Sequence, residues 1–395
     1  MDALGFPELD LTENTGHPGA EVSEAIRIAR VVCIFFMIFV HVHPGTTDYL
    51  AGEGGVRLFD GLRFFVVDSL GRASVALLSV VAGYLAVYSL KREPVRVFLR
   101  KKTRSLVVPF LLWNLILIVL VVLGEQLHKG YIEKSFDDGL NLSHLPELVF
   151  GLGGKPANEP LAFLRDVFAC ALFTPLLIAA LRRNTGTFVA LVGGLAVLAA
   201  ITPLGIRPSI PALYSVGIFI AARKVVPIPS LKLVLISLVA FAALGAVLTW
   251  RDLTSDDGAR TGLTWMEAGF NVIRVPAALA FWSLALALRG SDLGRRLARL
   301  EPYIFTAFCI HVIVSKVAWA GWEPVFGGYF DSLYPLFFFA MPLVVIVSAV
   351  IGARIVNARV PWLFSLLNGG RNLQPRRKRP VPVGASGLVL EPARS

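Results

Sequence analysis

The sequence predicts an all-α fold, a polytopic bundle of about ten transmembrane helices with both termini in the cytoplasm. Of its 395 residues, 55% are hydrophobic and only 16% are charged, whereas a soluble domain carries about 25% charged residues. The apolar residues come in blocks of about 17–25, the length at which a helix crosses the hydrocarbon core of a bilayer. The short alternating segments of a transmembrane β-barrel do not appear in the sequence.

The apolar blocks define ten predicted spans, most of them separated by short connections. Their predicted limits are 25–43, 73–90, 105–124, 160–181, 186–203, 209–225, 231–250, 264–288, 301–321 and 333–356. The chain is accordingly divided into a cytoplasmic N-terminal tail (1–24), a transmembrane domain (25–357) and a basic cytoplasmic tail (358–395) that is partly disordered. The start of the chain is acidic and lacks the basic region of a signal peptide, so no cleaved leader is expected.

Lysine and arginine concentrate in every second connection between the predicted spans. The segment 91–104 is rich in both, as is the tail at 371–379, and the intervening connections are mixed or acidic. Because cytoplasmic loops carry the excess of basic residues, this pattern places both termini in the cytoplasm and requires an even number of spans. The pattern also accounts for the net charge of +11, so no nucleic-acid partner is expected.

The first predicted span contains two polar residues at a regular spacing, Arg30 and His41. Eleven residues at about 100° each place both on one helix face, about 16 Å apart along the axis. Histidine is the usual general base near neutral pH, so His41 with Arg30 is the candidate catalytic pair. The alternative is that Arg30 anchors the helix at the cytoplasmic side, and that His41 is an interfacial residue before Pro44. The spacing alone leaves both interpretations open.

A second candidate is the basic group Arg100, Lys101 and Arg104, which lies just before the third predicted span. Several cations at the inner mouth of a helix can bind phosphates, and arginine does so with paired N–H donors. The alternative is a charged anchor that fixes the position of the span in the membrane.

Ionisable residues at membrane depth are costly, and this makes them candidates for function. Four further residues meet this description: Arg165, Asp166, Arg274 and His311. Arg165 and Asp166, which are adjacent at the start of the fourth span, either hold a polar ligand or neutralise each other's charge. The three cysteines all lie in apolar blocks and form no metal-ligand pattern, so no metal site is predicted.

These residues occur within a longer series of blocks that resembles the acyltransferase-3 family of integral-membrane acyltransferases. The first block is Arg30-x10-His41, and the others follow in the family's order. They are 71–84 with Ala82-Gly83-Tyr84, Lys101-x-x-Arg104 before Pro109, 161–166 with Pro175, and 304–311 ending in His311. The chain departs from the family pattern at four positions, which are Arg27, Val31, Ala82 and Ala162. The departures affect local packing and substrate class and leave the Arg30/His41 pair intact.

The resemblance implies transfer of an acyl group, acetyl or succinyl, from cytoplasmic acyl-CoA to a carbohydrate hydroxyl at the outer face of the bacterial inner membrane. In that case His41 is the catalytic base or acyl relay, and Arg30 acts with the 100–104 cations on the donor phosphates. The remaining four residues position the acceptor or stabilise the oxyanion. Acyl-CoA is then a substrate and no permanently bound cofactor is expected. The partners are the lipid bilayer, a polysaccharide or lipid-linked oligosaccharide, and a second copy if the chain forms a homo-oligomer. No appended hydrolase-like domain is expected.

Two other classes of protein remain open at this stage. A transporter or flippase also has about ten spans with buried charge, but it commonly contains inverted repeats, and none is evident. A non-catalytic member that scaffolds a polysaccharide-producing machine would tolerate the loss of His41. Incorporation of labelled acyl-CoA distinguishes the enzyme from both.

Overall fold

The computed structural model describes residues 19–43, 58–127, 143–152, 155–202, 205–225, 228–254, 269, 271–371 and 373, and within them it contains helices and no strands. The helices are α1 Ala20–Phe39, α2 Leu58–Arg92, α3 Val95–Gln126, α4 Leu145–Phe150, α5 Ala162–Arg183, α6 Thr185–Ile201, α7 Ser209–Ala222, α8 Leu231–Thr254, α9 Arg274–Leu288, α10 Asp292–Phe326, α11 Tyr334–Arg359 and α12 Pro361–Leu367. The all-α prediction is confirmed for these residues.

Among the described residues, six helices are long and apolar enough to cross a membrane: α2, α3, α5, α8, α10 and α11. Three shorter apolar helices, α6, α7 and α9, coincide with further predicted spans. The helix of the first predicted span, α1, contains 20 residues but carries four charges. The multi-pass membrane character follows from these helices. The number of ten crossings and the cytoplasmic location of both termini stay predictions.

Helix α1 lies at the centre of the bundle, because residues on all its sides are buried. Ala25, Ile28, Cys33 and Ile38 are completely buried, and α1 packs against α2, α9, α10 and α11. A helix whose apolar residues are buried on all sides is surrounded by neighbouring helices. Conversely, α8 exposes a row of large apolar side chains, as expected of a helix that faces lipid.

Helices α1 and α10 run parallel to each other. Near the start of α1, Arg30 pairs with Glu301, and beyond its end the main-chain N–H of His43 donates to the hydroxyl of Ser315. Both contacts therefore advance in the same direction along the two helices. We name the two ends of the bundle the Arg30 end and the His41 end.

Two of the long helices contain a π-helical segment, Phe65–Gly71 in α2 and Thr103–Val107 in α3. Such segments are rare and occur often at functional sites, because they change the direction of the following side chains. The first packs at the His41 end, where a Cβ on Gly71 would overlap the side chain of Val40. The second lies at the Arg30 end and carries Arg104.

Helices α2 and α7 make the closest backbone approach that the glycines of the described residues reveal. A Cβ on Gly83 would overlap the carbonyl of Tyr214, and one on Gly217 would overlap the carbonyl of Val80. Small residues allow transmembrane helices to approach in this way. This contact fixes α2, and with it the π-helical segment beside the end of α1.

The helix of the first span begins and ends earlier than predicted. The sequence predicted one helix over 25–43, but α1 ends at Phe39 and His41 lies in the turn that follows. The main-chain N–H groups of Val40 and His41 donate to the carbonyls three residues earlier, at 3.1 and 3.0 Å. This tightened turn ends the α-helix, so His41 lies just beyond the helix that carries Arg30, and both residues still face α10.

The segment predicted to be a tail from residue 358 begins with a helix. Helix α12 packs against α3, and the indole N–H of Trp113 donates to the carbonyl of Leu367 at 3.1 Å. The part of the tail expected to be disordered, 374–395, lies outside the described residues.

Candidate active site

The turn that carries His41 is held in place by two neighbouring helices. The N–H of His43 donates to the hydroxyl of Ser315 in α10 at 3.2 Å, and the hydroxyl of Tyr334 in α11 donates to the carbonyl of His43 at 3.0 Å. The ring of His43 also lies 6.1 Å from that of Trp319. Main-chain bonds on both sides of one residue restrict the turn, so His41 has a defined position two residues earlier.

His41 and His311 form a histidine pair at the His41 end. Their ring centroids lie 5.2 Å apart, and His311 is completely buried in α10. The Nδ1 of His311 lies 2.7 Å from the carbonyl oxygen of Phe308. Because a carbonyl only accepts hydrogen bonds, Nδ1 carries the proton in the neutral ring and Nε2 carries the lone pair. This Nε2 is buried and has no hydrogen-bond partner among the described residues.

Arg30 lies eleven residues before His41 and forms an ion pair with Glu301, with 2.8 Å between Nη1 and Oε1. Glu301 precedes His311 by ten residues on α10. The parallel helices α1 and α10 therefore each contribute one residue to the ion pair and one to the histidine pair. At 1.5 Å per residue, the two pairs lie about 15 Å apart along α10. The two residues of the Arg30-x10-His41 motif are thus each paired with a residue of α10, namely Glu301 and His311.

The basic group predicted before the third span is divided by the structure. Arg100, Lys101 and Arg104 are all exposed, and Lys101 forms an ion pair with Glu93. Lys102 belongs to the same run but was not among the three predicted donor-binding residues, and it lies close enough to Arg30 to interact electrostatically with it. It was not chosen because a run of cations in a sequence does not indicate which of them faces the bundle.

Further cations surround His41 at its own end of the bundle. Arg72, Lys155 and Arg207 lie close enough to interact electrostatically with its imidazole. Arg72 pairs at 2.5 Å with Asp68, which lies in the π-helical segment of α2. The other two share Glu159, at 3.3 and 3.9 Å. No sequence pattern singles out these three cations, because they lie in three separate connections.

Arg165 and Asp166 form the adjacent ion pair that the sequence suggested, at 3.0 Å. The pair also fixes two connections, since Arg165 donates to the carbonyls of Gly151 and Gly205 and the main chain of Arg207 donates to Asp166. These bonds hold Arg207 near His41. Contact of the pair with an acceptor stays a prediction.

Arg274 is the first residue of α9, and residues 269, 271 and 272 before it are also helical. Residues 264–268 and 270 lie outside the described residues, so its position about ten residues inside a span over 264–288 stays a prediction. Its Nη1 donates to the hydroxyl of Ser209 and to the side-chain oxygen of Asn271. Arg72 and Arg207 act on it electrostatically, so it lies near two of the cations that act on His41.

A polar network that the sequence analysis missed lies behind His311. The main-chain N–H of Asn158 donates to the side chain of Asn114 at 2.7 Å, and the amide of Asn158 donates to the carbonyl of Cys309 at 3.1 Å. Both asparagines are completely buried. Asn114 stands within a long apolar stretch of α3, and that isolated polar residue was the available signal. The network ties the connection before α5 to α10, close to the histidine pair.

The parts combine into a candidate site for acyl-group transfer. A histidine pair with an available lone pair can take a proton from a hydroxyl group or accept an acyl group. Cations at the opposite end suit an anionic donor. In the described residues no three His, Cys, Asp or Glu side chains converge as a metal site would require. Fold and site together define a membrane-bound acyltransferase.

The comparisons with known proteins place the chain in a family. The acyltransferase domain of the acyltransferase-3 family matches residues 23–354, so the chain belongs to that family. It is similar to the succinoglycan biosynthesis protein ExoH of Rhizobium meliloti (strain 1021), with 26% identity over 93% of this chain and 97% of that protein. No solved structure matches the chain. The predicted enzyme class, a membrane-bound O-acyltransferase, is confirmed.

Proposed function

We propose that the protein transfers an acyl group from cytoplasmic acyl-CoA to a hydroxyl group of an exopolysaccharide or its lipid-linked precursor, at the outer face of the bacterial inner membrane. The proposal draws on the similarity to a succinoglycan biosynthesis protein. It also draws on the positive-inside pattern, which assigns the Arg30 end to the cytoplasm and the His41 end to the outside.

One observation carries this proposal, namely that two parallel helices connect a cation cluster with a histidine pair. The ion pair Arg30–Glu301 and the pair His41/His311 both join α1 to α10. An acyl-CoA whose phosphates bind at the Arg30 end could extend its flexible pantetheine arm along these helices. Its thioester would then meet the sugar hydroxyl at His41, and neither substrate would need to cross the membrane completely.

In the chemical step, an imidazole lone pair of His41 takes the proton of the attacking hydroxyl group. The hydroxyl oxygen forms a bond with the thioester carbonyl carbon, the carbon–sulfur bond breaks, and the CoA thiolate leaves and collects a proton. In the second possible route, His41 itself attacks the thioester, and the sugar hydroxyl then displaces the acyl group from the imidazole. His311 lies beside His41 with its proton fixed towards Phe308, and thus presents a lone pair in either route.

The experiment that tests this function uses the purified chain in lipid nanodiscs with radiolabelled acyl-CoA and polysaccharide from a strain that lacks the gene. We expect label to appear in the polysaccharide as an alkali-labile ester, and deletion of the gene to remove the same acyl mass from the native polymer. If the purified chain transfers no label and the deletion leaves every substituent in place, the proposal is wrong.

The charges near His41 support succinyl over acetyl as the transferred group. Arg274 interacts with Ser209 and Asn271 but has no carboxylate partner among the described residues, and Arg72 and Arg207 lie close to it. A succinyl group brings a carboxylate of its own, which this cluster of cations can hold, whereas an acetyl group brings no charge. We therefore propose that the cations at the His41 end bind the distal carboxylate of a succinyl donor.

This assignment predicts a preference for succinyl-CoA, which Arg274→Gln should reduce. We expect about a tenfold or larger loss of kcat/KM with succinyl-CoA, the effect of one charged hydrogen bond, and little change with acetyl-CoA. Arg183→Gln is the matched control, because Arg183 is an exposed arginine at the C-terminal end of α5. Equal losses with both donors would instead assign Arg274 to the acceptor or to the fold.

A further inference from the structure

The last described part of the chain turns back into the bundle at the Arg30 end. After α12, Gly369 and Gly370 adopt φ values of 64° and 78°, which L side chains rarely adopt. A Cβ on Gly369 would lie 2.7 Å from the carbonyl oxygen of Ser105. The turn is therefore built for glycine and packs on the π-helical segment of α3. It directs the next residue, Arg371, back into the bundle.

One hydrogen bond and one aromatic contact anchor this turn to α10. Asn368 is buried, its side-chain oxygen accepts from Thr306 of α10 at 3.3 Å, and its amide donates to the carbonyl of Arg371 at 3.1 Å. The guanidinium of Arg371 lies 3.8 Å from the ring centroid of Phe305. Stacking on an aromatic ring holds the planar guanidinium in one orientation.

Arg371 joins the cations that face α1 and α10. Arg30 and Glu301 act on it electrostatically, and it acts in turn on Lys102. Arg104 also borders the turn, since a Cβ on Gly370 would lie 3.5 Å from its Nε. Cations from three separate parts of the chain thus lie close to one another, and two of them, Arg30 and Arg371, interact with Glu301. Like charges held together repel each other unless an anion lies between them.

The hydrogen-bonding groups of Arg371 are only partly used. Its Nη1 donates to the carbonyls of Ser105 and Asn368, at 3.2 and 3.0 Å. Among the described residues, Nε and Nη2 have no acceptor, and the side chain is exposed. A guanidinium has five N–H donors in a rigid fork, so the remaining donors are available to a phosphate group.

We propose that Arg371 binds a phosphate of the acyl-CoA donor, so that the segment Pro361–Leu367 and the turn after it form one wall of the donor site. The inference rests on the proposed function, because it takes acyl-CoA as the donor. It adds a binding residue that lies beyond the part of the chain matched by the family, residues 23–354. Coenzyme A carries a diphosphate and a 3′-phosphate, and these are the groups that the cation cluster fits.

The test compares two donors in the full-length protein in nanodiscs, acyl-CoA and the corresponding acyl-pantetheine, which lacks phosphates. We expect Arg371→Gln to raise the KM for acyl-CoA about tenfold or more, the effect of losing a charge-assisted hydrogen bond. The rate with acyl-pantetheine should stay unchanged, which also shows that the variant folds. Arg371→Lys should recover part of the affinity. Arg359→Gln, an exposed arginine at the same end, is the control.

Other outcomes separate this inference from the proposed function. An unchanged KM for acyl-CoA in Arg371→Gln, with transfer intact, overturns the inference alone. Faster transfer from both donors in Arg371→Gln also overturns the inference, because it would mean that Pro361–Leu367 and the turn after it block the donor site. A wild-type protein that uses no acyl-CoA contradicts the proposed function itself.

A second measurement on the wild-type protein does not depend on the folding of a variant. Phenylglyoxal modifies accessible arginines, and mass spectrometry identifies the modified sites. We expect coenzyme A to protect Arg371 and to leave Arg359 reactive. Equal modification of Arg371 with and without coenzyme A would contradict the inference.

Discussion

Replacing His41 by alanine should lower acyl transfer by about 10²–10⁴-fold, the usual contribution of a general base. The loss should fall on kcat, because the cations that would bind the donor lie at the other end of the bundle, about 15 Å away along α10. The measurement is the steady-state rate with the purified chain, together with the affinity for coenzyme A. An alanine variant with a nearly normal rate would remove His41 from the chemistry.

The control for this variant is another histidine near the same end of the bundle. His144 precedes α4 and makes no contact with the histidine pair in the described residues, so His144→Ala should retain activity. A trapping experiment separates the two chemical routes. Brief exposure of the wild-type protein to labelled donor without acceptor should leave label on His41 if an acyl-imidazole forms, and no label if transfer is direct.

The second large effect is expected at His311. The ring is completely buried, its Nδ1 proton is fixed by the carbonyl of Phe308, and its ring centroid lies 5.2 Å from that of His41. We interpret it as a positioning residue that orients His41 through the contact between the two rings. His311→Ala should lower kcat about 10–10³-fold with little change in the KM for the donor.

A merely structural role for His311 would give a different result in two respects. His311→Gln keeps a hydrogen-bonding group at the site and should recover part of the rate if positioning is the role. Two interacting histidines titrate as a pair, so the acid limb of the pH–rate profile should shift in this variant. If His311→Gln is as inactive as His311→Ala and the acid limb keeps its midpoint, the residue serves packing alone.

The two histidines differ in how far the sequence could lead to their roles. The interval between Arg30 and His41 was visible as a motif, although His41 lies in the turn that follows α1 and not in the helix itself. The sequence offered His311 as a single polar residue in an apolar block. Its partnership with His41 joins residues 270 positions apart, and no local pattern encodes such a contact.

The basic residues illustrate the same limit. A run of cations before the third span was evident, and it was reasonable to expect phosphate binding from it. The run does not show that Lys101 pairs with Glu93 while Lys102 faces Arg30, because that depends on how α3 is rotated against α1. Arg371 was part of a stretch predicted to be a tail. Its position depends on two glycines with left-handed conformations and on the packing of α12.

The sequence by itself determined that this chain is a helical membrane protein. In lipid every main-chain polar group needs an internal partner, so long apolar blocks can only form helices. The family motif also directed attention to Arg30 and His41. The tertiary structure decided what these residues contact, because parallel packing of α1 on α10 brings Arg30 to Glu301 and His41 to His311. Such packing depends on the shapes of many side chains at once, and the periodicity of one helix does not specify its neighbour.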